Sequence, residues 1–161
     1  MTMNKELSVS CTVIVISRDA RALIVQRPPN KSFPLKWTVA GGKIKVGDGD
    51  RITETFYYHP AEHCARRELF EETGIHIWFM PIHYLDSIYT DETGRLILSY
   101  YVFLDKDAAD FKIDLDKECN DYKWITEDEI KNYDFIPDIG GEIREVFKIR
   151  HEEIERIIMG R

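Results

Sequence analysis

Residues 8–18, Ser-Val-Ser-Cys-Thr-Val-Ile-Val-Ile-Ser-Arg, are dense in β-branched side chains and predict a strand. Across Val13–Ile16 the apolar residues do not alternate with polar ones. Successive side chains of a strand point to opposite faces, so this run needs apolar cover on both. A helix on each side of a sheet supplies that cover. The chain has two suitable stretches. Ala61, Cys64, Ala65 and Leu69 recur at spacings of three and four and predict a helix over 61–73, with Pro60 in its first turn and Gly74 as its left-handed stop. Ile143, Val146, Phe147, Ile154, Ile157 and Ile158 form the apolar stripe of a C-terminal helix from about Gly141 to Met159.

The rest of the pattern is strand and loop. Ala22–Arg27 predicts a second strand, and Pro28, Pro29, Asn30 and Pro34 mark an irregular loop. Trp37–Ala40 predicts a short extended piece ending at Gly41-Gly42, in which Trp37 fits the core better than a stacking role. Ile75–Thr90 predicts one or two strands, Asp91–Gly94 a hairpin turn, and Leu96–Leu104 another strand. Asp105–Asp121 is acidic and loop-like, with an extended piece around Phe111–Ile113. Tyr122–Ile125 predicts a last strand, and Thr126-Glu-Asp-Glu129 has the spacing of a capping box ahead of a short helix. The expectation is an α/β chain with a mixed sheet between helices, one domain over its 161 residues.

The 22 basic and 29 acidic residues give a net charge of −7, which disfavours a grip on nucleic-acid backbones. No apolar run of about 18 residues is present, so no membrane span is expected. The first residues, Met-Thr-Met-Asn-Lys-Glu, lack the apolar core of a secretory signal. Cys11, Cys64 and Cys119 are too few and scattered for a disulfide framework, which points to reduced thiols in a cytoplasm.

Within the first helix, Glu68, Glu71 and Glu72 stand at i, i+3 and i+4 and so share a face. They repel one another and lie at the end of the helix where anions are unfavourable. Helix stability does not explain them; a hard divalent cation, which takes oxygen ligands, does. An ordinary solvated acidic face with an Arg67–Glu71 pair is the competing reading of the trio alone.

The stretch Arg67-Glu68-Leu69-Phe70-Glu71-Glu72-Thr73-Gly74-Ile75, with Gly41-Gly42-Lys43-Ile44 upstream, resembles the box of the Nudix (MutT-like) hydrolase family, G-x5-E-x7-R-E-U-x-E-E-x-G-U with U aliphatic. Arg67, Glu68, Leu69, Glu71, Glu72, Gly74 and Ile75 match its second half, and Gly42 its first glycine. Two positions depart from it. Asp48 stands where the family has the first Glu, and eighteen residues, Gly49–Arg66, separate it from Arg67 where the family has seven. About eleven residues are therefore inserted within Gly49–Pro60, and the role of Asp48 is open.

The resemblance implies an α/β/α sandwich with a mixed sheet, a catalytic loop-helix-loop and a C-terminal helix. It implies metal-dependent hydrolysis of a nucleoside diphosphate linked to another group, with Mg²⁺ or Mn²⁺. By the same resemblance, Glu68, Glu71, Glu72 and the carbonyl of Gly41 would hold the ions, and Arg67 would orient the carboxylates. Which carboxylate serves as base stays open. Glu118 is chosen as a further ligand from the acidic segment, over Asp114, Asp116 and Asp121. Arg27 and Lys43 are candidates for the substrate phosphates, and Asp138, near Phe135 and Pro137, for a purine edge.

The expected substrate is a nucleoside triphosphate, oxidised forms included. The window Thr90–Thr93 lacks the proline or tyrosine that sometimes marks nucleotide-sugar and dinucleoside polyphosphate hydrolases, which remain the alternative. A non-catalytic nucleotide-binding domain is a third reading, disfavoured because all three helical glutamates are kept. In the insertion, Phe56, Tyr57 and Tyr58 are expected to pack beside the active site or against a second subunit in a homodimer, or else over the chain's own core.

Overall fold

A computed structural model of the chain describes residues 6–160. The strands are β1 (Ser8–Ile16), β2 (Ala22–Gln26), β3 (Trp37–Thr38), β4 (Ala40–Lys43), β5 (Asp50–Arg51), β6 (Tyr57–Tyr58), β7 (His83–Thr90), β8 (Arg95–Phe103) and β9 (Asp121–Ile125), and the helices α1 (Pro60–Thr73) and α2 (Ile139–Ile158). β1 runs parallel to β8 along its whole length, and β8 is antiparallel to β7. On its other edge β1 pairs with β4 through Ser10–Val13 and meets β2 at Ile16. β2 in turn pairs with β3 and β9, all antiparallel.

This mixed sheet has a helix on each face. Ala61, Cys64, Ala65 and Leu69 of α1 pack on Cys11, Val13, Val15, Tyr100 and Val102. Ile143, Val146 and Phe147 of α2 pack on Ile14, Ile16, Ile24 and Tyr101. The unbroken apolar run of β1 is thus divided between two cores, which is why it does not alternate. The fold is the expected α/β/α sandwich. Trp37 packs with the α2 core, its ring edge-on to Tyr133 at 5.3 Å.

Several local expectations are corrected. The strand of the 75–90 region begins only at His83; Ile75 and Ile77 are buried without strand pairing, and a turn closes from the Met80 N–H to the Ile77 carbonyl before Pro81. Phe111–Ile113 is not a strand, because the segment it belongs to docks on the end of α1, with the Asp114 N–H on the Thr73 carbonyl at 2.9 Å. After β9 the capping box of Thr126 and Glu129 forms, but it opens a 3₁₀ helix, Glu127–Asn132. The glycine pair does not end an extended piece; Gly41 and Gly42 lie inside β4. The stripe of α2 is buried only in its first half: Ile157 and Ile158 are 79% and 78% exposed, where the helix overruns the sheet.

The inserted residues form a small separate hairpin, β5 against β6. Phe56 and Tyr58 are 69% and 64% exposed, so they do not cover the core. No helix among the described residues is long and apolar enough to cross a membrane.

Candidate active site

The glycine strand and the C-terminal half of α1 face each other. Gly42 leaves room for the Glu68 carboxylate, which a Cβ there would displace. Glu72, one turn on, accepts a long hydrogen bond from the Gly41 N–H at 3.4 Å. Both carboxylates are buried. Burial, and after it the neighbouring Glu68 charge, pushes Glu72 up to about 8.

Arg67 organises the opposite flank. Its Nε and Nη2 donate to the two oxygens of Asp48 at 2.7 and 2.9 Å, and Nη1 donates to Glu68 at 2.8 Å and Glu71 at 3.1 Å. Nη2 also reaches the Lys43 carbonyl at 3.1 Å. Burial disfavours the charged Asp48, but the bonds from Arg67 and the Lys45 N–H outweigh it and hold its carboxyl down to about 2. The open question of Asp48 thus has a structural answer: it is the bidentate partner of Arg67. The chain reverses direction just beyond it, where Gly49 (φ 112) sits beside Tyr58 and Pro60, so the insertion leaves and returns at one point.

The candidate residues are not all gathered equally. Glu68 and Glu72 converge on the glycines, whereas Glu71 is turned outward onto Arg67. Among the described residues no three His, Cys, Asp or Glu side chains form a ready metal cluster. Glu118 lines the same cavity but pairs with Lys31 at 3.1 Å. The loop side chain that touches Glu72 is Cys119, at 3.8 Å. Asp114 and Asp116 serve the junction with α1 through their backbone N–H groups, the second reaching the Glu72 carbonyl at 3.4 Å. Arg27 and Lys43 both line the cavity; the Arg27 guanidinium is bonded to Ser32 at 2.6 and 3.0 Å. Asp138 is exposed, takes a left-handed φ of 74° ahead of α2, and does not line the cavity.

The carboxylate that α2 does place there is Glu142. Thr12 Oγ1 donates to Ser99 Oγ at 3.1 Å, and Ser99 donates to Glu142 Oε1 at 2.9 Å. Burial first, then the adjoining Asp86 carboxyl, pushes Glu142 up to about 8. The cavity, about 270 Å³, runs from Gly41, Gly42 and Glu72 to this cluster. Sequence reasoning missed Glu142, Ser10, Ser99 and Arg95. The available signal was the polar residues at alternate positions, Ser8-Ser10-Thr12 and Arg95-Ser99, where a core-facing strand would be apolar.

A family model described as the NUDIX domain matches residues 7–146. No curated protein matches the chain. Among solved structures, the MutT protein of Methanosarcina mazei Go1 aligns at 20% identity and a TM-score of 0.64, covering 93% of this chain and 99% of that one. The NUDIX domain of Shewanella oneidensis NrtR, complexed with ADP ribose, aligns at 17% identity and 0.67, covering 89% and 88%. An Ap4A hydrolase of C. elegans aligns at 15% identity and 0.63, covering 91% and 99%. At these identities the structures establish a shared fold.

Proposed function

The chain belongs to the Nudix hydrolase family, and from that premise we propose that it hydrolyses a phosphoanhydride bond of a nucleoside triphosphate, releasing a nucleoside monophosphate and pyrophosphate. The observation that carries the reading is the pair of buried carboxylates, Glu68 and Glu72, set against the glycine strand, with Glu72 lining one end of a cavity of about 270 Å³. Oxygen donors of this kind suit Mg²⁺ or Mn²⁺. Burial and the neighbouring Glu68 charge, which raise Glu72, are the penalties that a bound cation would offset. Glu68, Glu72 and the Gly41 carbonyl would hold the ion, with Glu71 and Glu118 nearer the rim. When bound, it supplies charge neutralisation of the phosphates and activation of a water.

The chain's own residues do the rest. Arg67, fixed by Asp48, keeps Glu68 and Glu71 from turning away. Lys43 and Arg27 line the cavity beside the glycines, where they attract the phosphates and orient the bond to be broken. A carboxylate of this set receives the water's proton. The cavity volume, about 270 Å³, lies at the small end of ligand pockets, which suits one nucleoside better than two.

A panel of nucleoside triphosphates, ADP-ribose and dinucleoside polyphosphates, assayed with Mg²⁺ and with Mn²⁺ and with products resolved, tests this. The expected result is a triphosphate yielding monophosphate and pyrophosphate, abolished by a chelator and lowered at least about a hundredfold by Glu72→Gln. Full turnover in metal-free buffer would end the reading; a preference for ADP-ribose would change its substrate.

A further inference from the structure

Between β2 and β3 the chain runs through a loop, residues 28–36, that carries Pro28, Pro29 and Pro34. Its backbone is unfavourable at two places. Phe33 and Leu35 take left-handed φ values of 51° and 59°, which residues with a Cβ rarely adopt. Burial does not impose them, because both side chains are exposed. Polar contacts hold the loop instead. At its base the Leu35 N–H donates to the Arg27 carbonyl at 3.1 Å, and Gln26 Nε2 donates to the Leu35 carbonyl at 3.0 Å. Further out, the Arg27 guanidinium holds Ser32, and Lys31 Nζ pairs with Glu118 at 3.1 Å. Ser32, Phe33 and Glu118 line the cavity that ends at Glu72, so this ion pair ties one part of the cavity wall to another.

Glu118 has a fixed backbone and an exposed side chain. Its N–H donates to Asp116 Oδ1 at 2.9 Å, and the Asp116 N–H docks on the Glu72 carbonyl at 3.4 Å. The next residue, Cys119, touches the Glu72 carboxylate at 3.8 Å. A divalent cation held by Glu68 and Glu72 would therefore attract the Glu118 carboxylate and repel the Lys31 ammonium. The ion pair it competes with is exposed on both sides, and such pairs contribute little.

We infer that Lys31 is a positioning residue: it holds Glu118 toward the 28–36 loop in the cation-free chain, and a divalent cation at Glu68 and Glu72 draws Glu118 away and unfastens the loop. This rests on the cation-dependent reading above. The strained backbone at Phe33 and Leu35 favours release once the tie is gone. Coupling of this kind is reciprocal. The pair that fastens the loop opposes the cation, so loss of the lysine tightens cation binding.

The test reads the loop and the cation separately. Trypsin cleavage of the Lys31–Ser32 bond reports release of the loop, and calorimetry with Mn²⁺ reports affinity. Mn²⁺ should speed that cleavage in the wild type at least about threefold, and Glu118→Gln should speed it as much in metal-free buffer. Lys31→Met should tighten Mn²⁺ binding about two- to fivefold, the range of an exposed ion pair, and Lys31→Arg should keep the wild-type affinity. In a Glu118→Gln background the same Lys31→Met change should do nothing, because the lysine acts through the glutamate. Lys36→Met, whose lysine pairs with Asp134 at 3.0 Å instead, should leave the affinity unchanged. An equal gain from Lys36→Met, or a gain that survives in the Glu118→Gln background, would reduce the effect to loss of a positive charge and overturn the inference. A cleavage rate indifferent to Mn²⁺, or to Glu118→Gln, would sink it whatever the activity. Should Mn²⁺ bind and release the loop while no nucleotide is hydrolysed, the hydrolase reading falls and this one stands.

Discussion

The Arg67 network beside the glycine strand and the polar cluster between β1, β8 and α2 treat their polar groups in opposite ways. At the α1 end every charge near Arg67 is engaged: the guanidinium holds Asp48, Glu68 and Glu71 at 2.7 to 3.1 Å, and Asp48 also takes the Lys45 N–H. At the α2 end Ser10, Arg95 and Glu142 each keep an atom without a partner. A saturated network rigidifies its members and is damaged when one is removed. An unsaturated one is held open by the fold and should tolerate loss. The difference separates side chains that position others from side chains that the fold leaves unpaired.

The largest expected effect breaks the saturated end. Asp48 is buried and Arg67 partly so, with 3% and 16% of their side chains exposed. Asp48→Asn leaves the guanidinium without its bidentate partner, and such loss costs about 3–5 kcal/mol. Chemical denaturation should show a drop of that size, against little or none for Ser10→Ala. Equal stability losses at the two positions would erase the contrast between the ends.

A smaller effect sharpens the comparison through pH. Glu72 and Glu142, one at each end, are both raised to about 8 from the ordinary glutamate value near 4.5. The folded chain therefore keeps two protons that the unfolded chain loses above about 4.5. Their stabilising contribution is complete below the unfolded value and declines as pH rises toward about 8. Melting temperature in metal-free buffer should fall between about pH 5.5 and pH 8.5. Divalent cation should restore more at the upper pH, because it favours ionised Glu72. Glu142→Gln should flatten only its own share, leaving the cation effect. A pH-independent melting temperature would show that neither carboxyl holds its proton.

What could be read from the sequence followed from local rules. The α1 stripe, the Pro60 start and the left-handed Gly74 stop, with φ of 78°, depend on neighbours within a few residues. The two-sided burial of β1 likewise follows from its own composition. Glu142 was invisible for the reverse reason. It joins the cavity beside Ser99 of β8, 43 residues away in sequence, whose hydroxyl donates to it. Asp138, closer in sequence to the expected segment, lies outside because its left-handed backbone carries it to the surface. Glu71 shares a helical face with Glu68 and Glu72, but spacing alone does not reveal that Arg67 draws it outward.

The smallest effect belongs to the inserted hairpin, which meets the rest of the chain where Tyr57 and Tyr58 flank Gly49, next to Asp48. A Cβ on Gly49 would lie 3.4 Å from Pro60 Cα, so the chain already closes across the insertion. Removing residues 50–59 would join Gly49 to Pro60 with little displacement of Asp48 or α1. The hairpin's exposed Phe56 and Tyr58 contribute little burial, and shortening a surface loop changes closure entropy by only about 0.6 kcal/mol per halving. The deletion should therefore shift the melting temperature by no more than about 2–4 °C, the equivalent of roughly 1 kcal/mol for a chain of this size. Metal dependence should persist. Subunit association, read by light scattering, is where a change would appear if the exposed aromatics meet a second copy. A deletion that unfolds the chain would show that the hairpin braces Asp48, and would move it from the periphery into the saturated end.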